Sequence, residues 1–270
     1  MVEKGRSEMA TLTAVDQIAQ EINQAVAHHS VGEVLPQYQS QGEFLTIDQF
    51  LPQPIIAQYM KEVNALRPQI NRNFIPTHKK GGSISYYLLK QSAPSILSLY
   101  QSQAFIDWLS QIAGVNLLLC PEEDPHSCAL YFYTEAGDHI GYHYDTSFYN
   151  GARYTVLIGL TDRSTSKLLC RLHTRDTGKT PQDLSLATDP GLLVFFNGDR
   201  LYHAVSPIEE GEERIVLTLQ YVTDPTMGTF KRWYSNLKDA FGYFGVSALW
   251  RQSDEKSQKN ENDTMFDGLR

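Results

Sequence analysis

The chain has 270 residues, 41% of them hydrophobic and 11% aromatic, which is enough for one large domain, or one domain with a helical elaboration, to bury a substantial core. Its formal net charge of −8 lacks the positive footprint that phosphate-backbone binding needs, so nucleic acid is excluded as a partner and a small molecule is expected instead. No run approaches the ~18 apolar residues of a membrane span, and the opening MVEKGRSEMATLTAVDQ has no apolar signal core, so a cytoplasmic protein without membrane contact is expected.

Residues 1–10 read as a loose end. Leu12, Val15, Ile18, Ile22 and Val26 then recur at helical spacing as far as His28 and His29, predicting an amphipathic helix. Phe44-Leu45-Thr46-Ile47 reads as a short strand. Pro54 opens a second helix running through Val63, at a position where its missing N–H costs nothing. Lys80-Gly81-Gly82 suggests a flexible loop, and Ser83 to Leu88 has strand character. Two further helices are predicted over 93–101 and 103–113, the latter ending at Gly114 as a left-handed cap. Residues 1–120 are therefore expected to form a mainly helical layer packing on a strand-rich second half.

From Ser127 the texture changes to short runs of Val, Ile, Leu, Phe and Tyr between turn residues, as in an antiparallel sandwich or barrel. Strands are predicted at about 127–134, 139–146, 153–160, 167–173, 191–196, 200–205 and 214–222, within a catalytic core spanning 121–225. A last helix, within 226–250, is expected after Trp233, and 251–270 reads as a disordered polar tail. Cys120, Cys128 and Cys170 have neither disulfide nor zinc-knuckle spacing and read as buried reduced thiols. The oligomeric state is left open.

The chemistry concentrates in the second half. In a strand, residues i and i+2 share a face, so His143 and Asp145 project together and Tyr144 points away. A third ligand must come from a distant segment. Pro190-Gly191 opens the run Leu192-Leu193-Val194-Phe195-Phe196, long enough to be a strand buried on both faces, and Asn197-Gly198 is a two-residue hairpin signal. The chain then returns with Leu201, His203 and Val205 on one face. Two imidazoles and one carboxylate form the facial triad that holds non-haem Fe(II) and leaves positions open. His139 and His173 lack a carboxylate two residues on and are not taken as ligands.

After the acidic turn at Glu209 to Glu213, alternation places Arg214, Val216, Thr218 and Gln220 on one face. An arginine inside a barrel is costly unless an anion meets it, and a guanidinium can grip a carboxylate through two parallel hydrogen bonds. Arg214 therefore predicts a carboxylate ligand if it faces inward. The alternative is a salt bridge at the rim to Glu212 or Glu213.

With these residues in order, from Ala129 to Thr223, the chain resembles the Fe(II)- and 2-oxoglutarate-dependent dioxygenases, especially their prolyl-hydroxylase-like branch. The resemblance implies an α+β protein with a double-stranded β-helix, or jelly-roll, core. It implies that His143, Asp145 and His203 bind Fe(II), that Arg214 binds the distal carboxylate of 2-oxoglutarate, and that O2 is the second cosubstrate. Tyr133, ten residues before His143, falls where that branch often has a tyrosine on the cosubstrate, and Tyr131 shares its face. Many relatives have serine two residues after the arginine; this chain has Val216, for which Thr155 and Thr218 are substitutes. Thr146, Ser147, Phe148, Tyr149 and Arg153 follow the ligand strand and are substrate-contact candidates, or else ordinary loop residues.

Related halogenases lack the carboxylate ligand, and Asp145 fills that place, so the implied reaction is hydroxylation of a C–H bond with release of succinate and CO2. Desaturation and ring chemistry use the same triad and stay open. The segments from Ser92 to Ser110 resemble those preceding the barrel in members acting on free amino acids or natural products. Two other classes stand beside this one: a non-catalytic jelly-roll binding or interaction module, and a cupin-like metalloenzyme that uses no 2-oxoglutarate.

Overall fold

A computed structural model of the chain describes residues 2–226, with side chains from Val15 onward; the helix expected after Trp233 and the polar tail lie outside the described residues. Six helices and twelve strands follow one another among the described residues. They are α1 (Val2–His28), α2 (Val31–Ser40), β1 (Phe44–Ile47), α3 (Gln53–Leu66), β2 (Asn71–Ile75), β3 (Lys79–Ile84), α4 (Tyr86–Ser92), α5 (Pro94–Tyr100), α6 (Gln103–Ala113), β4 (Leu118–Leu119), β5 (Cys128–Tyr133) and β6 (His139–His143). After them come β7 (Arg153–Arg163), β8 (Leu168–Leu172), β9 (Gln182–Leu186), β10 (Leu193–Asn197), β11 (Tyr202–Val205) and β12 (Glu213–Val222).

The strands form one curled antiparallel sheet in the order β1-β10-β7-β12-β5-β3-β6-β11-β8-β9, with β2 on β3 and β4 on β12. This is the jelly-roll architecture, and its curl brings β6 and β11 across from β7 and β12. The central strands are buried on both faces. Leu193 and Phe195 of β10, with Ile215, Leu217 and Leu219 of β12, pack against the helices. Their neighbours Val194, Phe196 and Val216 turn into the barrel. A strand that separates two cores has no solvent face, so it loses the polar half of the usual pattern.

The helical layer closes the outer face of that sheet. Ile18 and Ile22 of α1, which packs on α5 and α6, are buried, and α6 presents Phe105, Ile106, Trp108, Leu109 and Ile112. The start of α6 is capped by Ser102, whose Oγ accepts from the N–H of Phe105 at 3.3 Å, and its end by Gly114 at φ 69°. No described helix is long and apolar enough to cross a membrane.

Several expectations need correction. The segment 83–88 is split: β3 ends at Ile84 and Ser85, with extended φ −79° and ψ 164°, precedes α4. Tyr86 and Leu89 are the buried positions of that helix, and its sequence contains no β-branched residue to oppose it. Lys80-Gly81-Gly82 lies in β3 rather than in a loop; a Cβ at Gly82 would sit 2.5 Å from Ile70 Cγ2, so the glycine serves close packing. Helix α1 already begins at Val2, within the segment read as a loose end, and α2, β2, β4 and β9 were not anticipated.

Asn197-Gly198 is not a hairpin turn. β10 pairs with β1 and β7, whereas β11 pairs with β6 and β8, so the chain crosses here from one wall of the barrel to the other. The three cysteines are buried and free, as read from their spacing. Burial pushes the Cys170 thiol up to about 12 and those of Cys120 and Cys128 well above their usual range.

Candidate metal centre and its cavity

His143 is the last residue of β6 and stands directly opposite His203 of β11 in the antiparallel ladder. That pairing brings the ring centroids to 4.3 Å. Asp145 lies two residues past the end of β6 rather than within the predicted strand, yet its side chain turns to the same side. Asp145 Oδ1 lies 3.3 Å from His143 Nε2 and 3.9 Å from His203 Nε2, and one donor atom from each of the three residues falls within 4.8 Å of the others.

The orientation of each donor is set by its second hydrogen bond. His143 Nδ1 faces the Gly141 carbonyl at 2.9 Å and His203 Nδ1 the Leu201 carbonyl at 3.3 Å, which puts the ring protons on Nδ1 and leaves the Nε2 lone pairs aimed at the common point. Thr155 Oγ1 donates to Asp145 Oδ2 at 2.7 Å, leaving Oδ1 toward the imidazoles. Gly198 supplies the room. A Cβ there would lie 2.5 Å from the Asp145 carbonyl oxygen, while its N–H donates to the Arg153 carbonyl at 2.8 Å. What looked like a hairpin signal is therefore the close approach that seats the carboxylate loop.

Electrostatics match a divalent cation. Burial acts to raise the Asp145 pKa, but His203, His143 and the Thr155 hydrogen bond outweigh it and hold the carboxyl well below the usual range. Burial, reinforced by His143, lowers His203 to about 4, so its imidazole is neutral at physiological pH. Two neutral imidazoles and one carboxylate form the donor set that suits a non-haem iron and leaves part of its coordination sphere open.

The triad opens on a cavity of about 170 Å³. At one end stands Arg214, 1% exposed, with Nε donating to Thr188 Oγ1 at 2.7 Å and its guanidinium 5.3 Å from the Tyr133 ring centroid. Its Nη1 is buried without a hydrogen-bond partner among the described residues. The alternative of a rim ion pair is set aside: Glu213 binds Arg67 at 2.7 Å and also Arg163, and Glu212 receives the backbone N–H groups of Thr165 and Glu209. Burial lowers the Arg214 pKa and pushes the Tyr133 hydroxyl up to about 12, so an anionic group would meet a cation and a phenol there.

The opposite end is polar in a different way. Arg153 Nη2 reaches Asp124 Oδ2 at 3.0 Å and Nη1 reaches Gln220 Oε1 at 2.5 Å, while the Tyr149 hydroxyl donates to Asp124 Oδ2 at 2.7 Å. His126 completes this wall, its Nδ1 3.1 Å from the Tyr131 hydroxyl.

The residues singled out from the sequence fall into three groups. Tyr131, Tyr133, Thr146, Phe148, Arg153, Arg214 and Thr218 line the cavity with the triad. Thr155 lies behind Asp145, Tyr149 behind Asp124, and Ser147 accepts the Tyr149 N–H at 3.1 Å. His139 and His173 are bonded elsewhere, to Gly137 and Asp176. Tyr144, expected to point away, lies at the cavity's edge, its hydroxyl donating to Thr174 at 3.0 Å and its ring near Tyr202. Asp124, His126 and Thr188 were missed. Each lies in an irregular segment whose spacing carries no periodic signal.

Comparison with known proteins agrees with this geometry. A model of the family described as Halogenase D matches residues 26–151, just under half of the chain. No curated protein matches. Among solved structures, the non-haem α-ketoglutarate-dependent epimerase SnoN of nogalamycin biosynthesis superposes with a TM-score of 0.58 at 13% identity, over 71% of this chain and 81% of that one. A prolyl-4-hydroxylase from Pseudomonas putida superposes at 0.55 and 16% identity over 72% and 99%, and a Trichoplax adhaerens prolyl hydroxylase, bound to a hypoxia-inducible-factor peptide, at 0.56 and 15% over 83% and 96%. The chain thus has the fold of the Fe(II)/2-oxoglutarate-dependent oxygenases.

Proposed function

We propose that the protein is an Fe(II)- and 2-oxoglutarate-dependent oxygenase that hydroxylates an unactivated C–H bond of a small molecule, a free amino acid or a natural-product-like metabolite, with release of succinate and CO2. The observation that carries this reading is the meeting, in one cavity, of three donor atoms within 4.8 Å and a buried guanidinium whose Nη1 has no partner among the described residues. His143, Asp145 and His203 would hold the iron; Arg214, with Tyr133, would receive the distal carboxylate of 2-oxoglutarate. Once bound, iron and 2-oxoglutarate supply the reductive activation of O2 that no side chain of this protein can perform.

The protein's own residues orient and enclose. Thr155 and the two backbone carbonyls hold the ligand atoms in place, and Tyr133, Leu157, Leu168 and Val216 surround the Arg214 end with side chains that exclude water. Charge at that end then acts with little screening. The Asp124–Arg153 pair, Gln220 and His126 make a far wall able to hydrogen-bond an ionised substrate group, and Thr146 and Phe148, which line the same cavity, would contact the substrate.

Halogenase D supplies the competing chemistry. Halogenation of this type needs a coordination place for the halide, and here Asp145 Oδ1 points into that place. Hydroxylation is therefore the favoured outcome. The fold does not choose between reactions, since an epimerase and a carbocyclase share it.

The test is a screen of free amino acids and small metabolites for substrate-stimulated succinate formation, with products read by mass for the gain of one oxygen atom. No succinate above the Fe(II)-free background would instead favour a binding module. Metal binding with no thermal-shift response to 2-oxoglutarate or N-oxalylglycine would favour a cupin-like metalloenzyme.

A further inference from the structure

We propose that Thr188 is a positioning residue for the cosubstrate: its hydroxyl acts as a spacer that keeps the Arg214 guanidinium from collapsing onto Asp162 and so holds its terminal nitrogens at the cavity. This rests on the function proposed above and assigns a role to residues that neither the motif nor the fold singles out.

The chemistry of the three groups dictates the direction of every bond. Arg214 can only donate and an ionised carboxylate can only accept. Thr188 Oγ1 therefore accepts from Arg214 Nε at 2.7 Å and spends its single proton on Asp162 Oδ2, 3.1 Å away. The Thr188 N–H donates to the same oxygen at 2.9 Å, and the Ser164 hydroxyl to Oδ1 at 2.6 Å. Asp162 is anchored by these bonds, yet its Oδ2 stands 4.0 Å from Arg214 Nε, too far for a direct hydrogen bond. Both charged side chains are almost fully buried, at 1% and 2% exposure.

Opposite charges that close in a low-dielectric interior attract strongly, and the Thr188 hydroxyl, bonded to both, lies between them. Without it the guanidinium gains by swinging its Nε and Nη groups onto Asp162. That motion would withdraw from the cavity the donor that a distal carboxylate needs. With it, the hydroxyl saturates Nε alone and leaves Nη1 unpaired. The spacer also bears on Val216, which occupies the place where many related proteins supply a serine hydroxyl to the cosubstrate. A hydroxyl is still present at this end, but both of its hydrogen-bonding capacities are used behind the guanidinium, so it aims the arginine rather than touching the ligand.

The experiment measures binding of 2-oxoglutarate and of pyruvate, which chelates a metal in the same way but has no distal carboxylate, to the full chain loaded with Mn(II). Thr188→Val should weaken 2-oxoglutarate binding by roughly ten- to a hundredfold, the span for losing one hydrogen bond to a charged group. Pyruvate and Mn(II) affinities should stay unchanged, and Thr188→Ser should restore 2-oxoglutarate binding. In the Thr188→Val background, Asp162→Asn should recover part of the loss, because the attraction that pulls the guanidinium away is then gone. Should Thr188→Val not fold, Thr188→Ala carries the same expectations.

Equal 2-oxoglutarate binding in Thr188→Val and wild type would overturn the spacer, as would a parallel loss for pyruvate, which would mark a merely structural role. A deeper loss on adding Asp162→Asn would also overturn it. Failure of the wild-type chain to bind 2-oxoglutarate at all would instead remove the function on which the proposal rests.

Discussion

Two buried arginines face each other across the same cavity, and they are satisfied in opposite ways. Arg153 spends both terminal nitrogens within the protein, on Asp124 and Gln220, with only Nε lacking a partner among the described residues, and its carboxylate partner takes further bonds from Tyr149 and the His126 N–H. Among the described residues Arg214 spends only Nε, on a neutral hydroxyl, stands 4.0 Å from the Asp162 carboxylate, and leaves Nη1 buried without a partner. Burial pulls down the pKa of both; at Arg153 the Asp124 carboxylate together with Cys120, Tyr149 and Asp145 more than reverses it, and at Arg214 it is not overcome. A buried cation paired with a carboxylate holds a wall together, whereas one held only by a neutral hydroxyl marks where an anionic ligand belongs.

The contrast can be broken at several points. The most severe change is Asp145→Ala, which should abolish Fe(II)-dependent succinate formation and weaken metal binding while leaving both arginines in place; retained turnover would remove Asp145 from the ligand set. Arg153→Met should lower the unfolding free energy by about 3–5 kcal/mol in urea titration, because it strands Asp124 in the interior. Arg214→Met should do the reverse. It should change stability far less, since no carboxylate is left without partners, but raise the KM for 2-oxoglutarate by an amount equivalent to about 2–4 kcal/mol. Equal stability losses in the two methionine variants would erase the distinction.

A smaller effect is expected at Gly198→Ala, whose Cβ would press on the Asp145 backbone at 2.5 Å. Metal affinity should fall roughly tenfold, at the lower end for a residue that orients a ligand, with 2-oxoglutarate discrimination against pyruvate preserved. Phe148→Ala should be the mildest. On the proposed reading it raises only the KM of the primary substrate, leaving that of 2-oxoglutarate as in wild type.

Legibility in the sequence followed the locality of the cause. His143, His203 and Arg214 were readable because strand alternation projects them and because their order along the chain carries information. The doubly buried β10 was readable from its unbroken apolar run. Ser83 to Leu88 divides because so short a run of serine, aliphatic and aromatic residues fits either period, and burial of Tyr86 and Leu89 decides for the helix after Ile84. Asn197-Gly198 was misread for a related reason: a glycine demanded by tight contact with Asp145 has the same letter as one demanded by a turn.

The linear order of residues determined the kind of chemistry this protein can hold: two imidazoles, one carboxylate and one inward arginine on strands of alternating face. It also set the expectation of a small molecule over a polyanion, because net charge needs no fold to be counted. Only the tertiary structure decided which hydroxyl meets which charge. Thr155 lies on Asp145 and Thr188 on Arg214 because the curl of the sheet brings segments 10 and 26 residues apart into hydrogen-bond range. Such distances depend on closure of the barrel as a whole, and no local spacing encodes them.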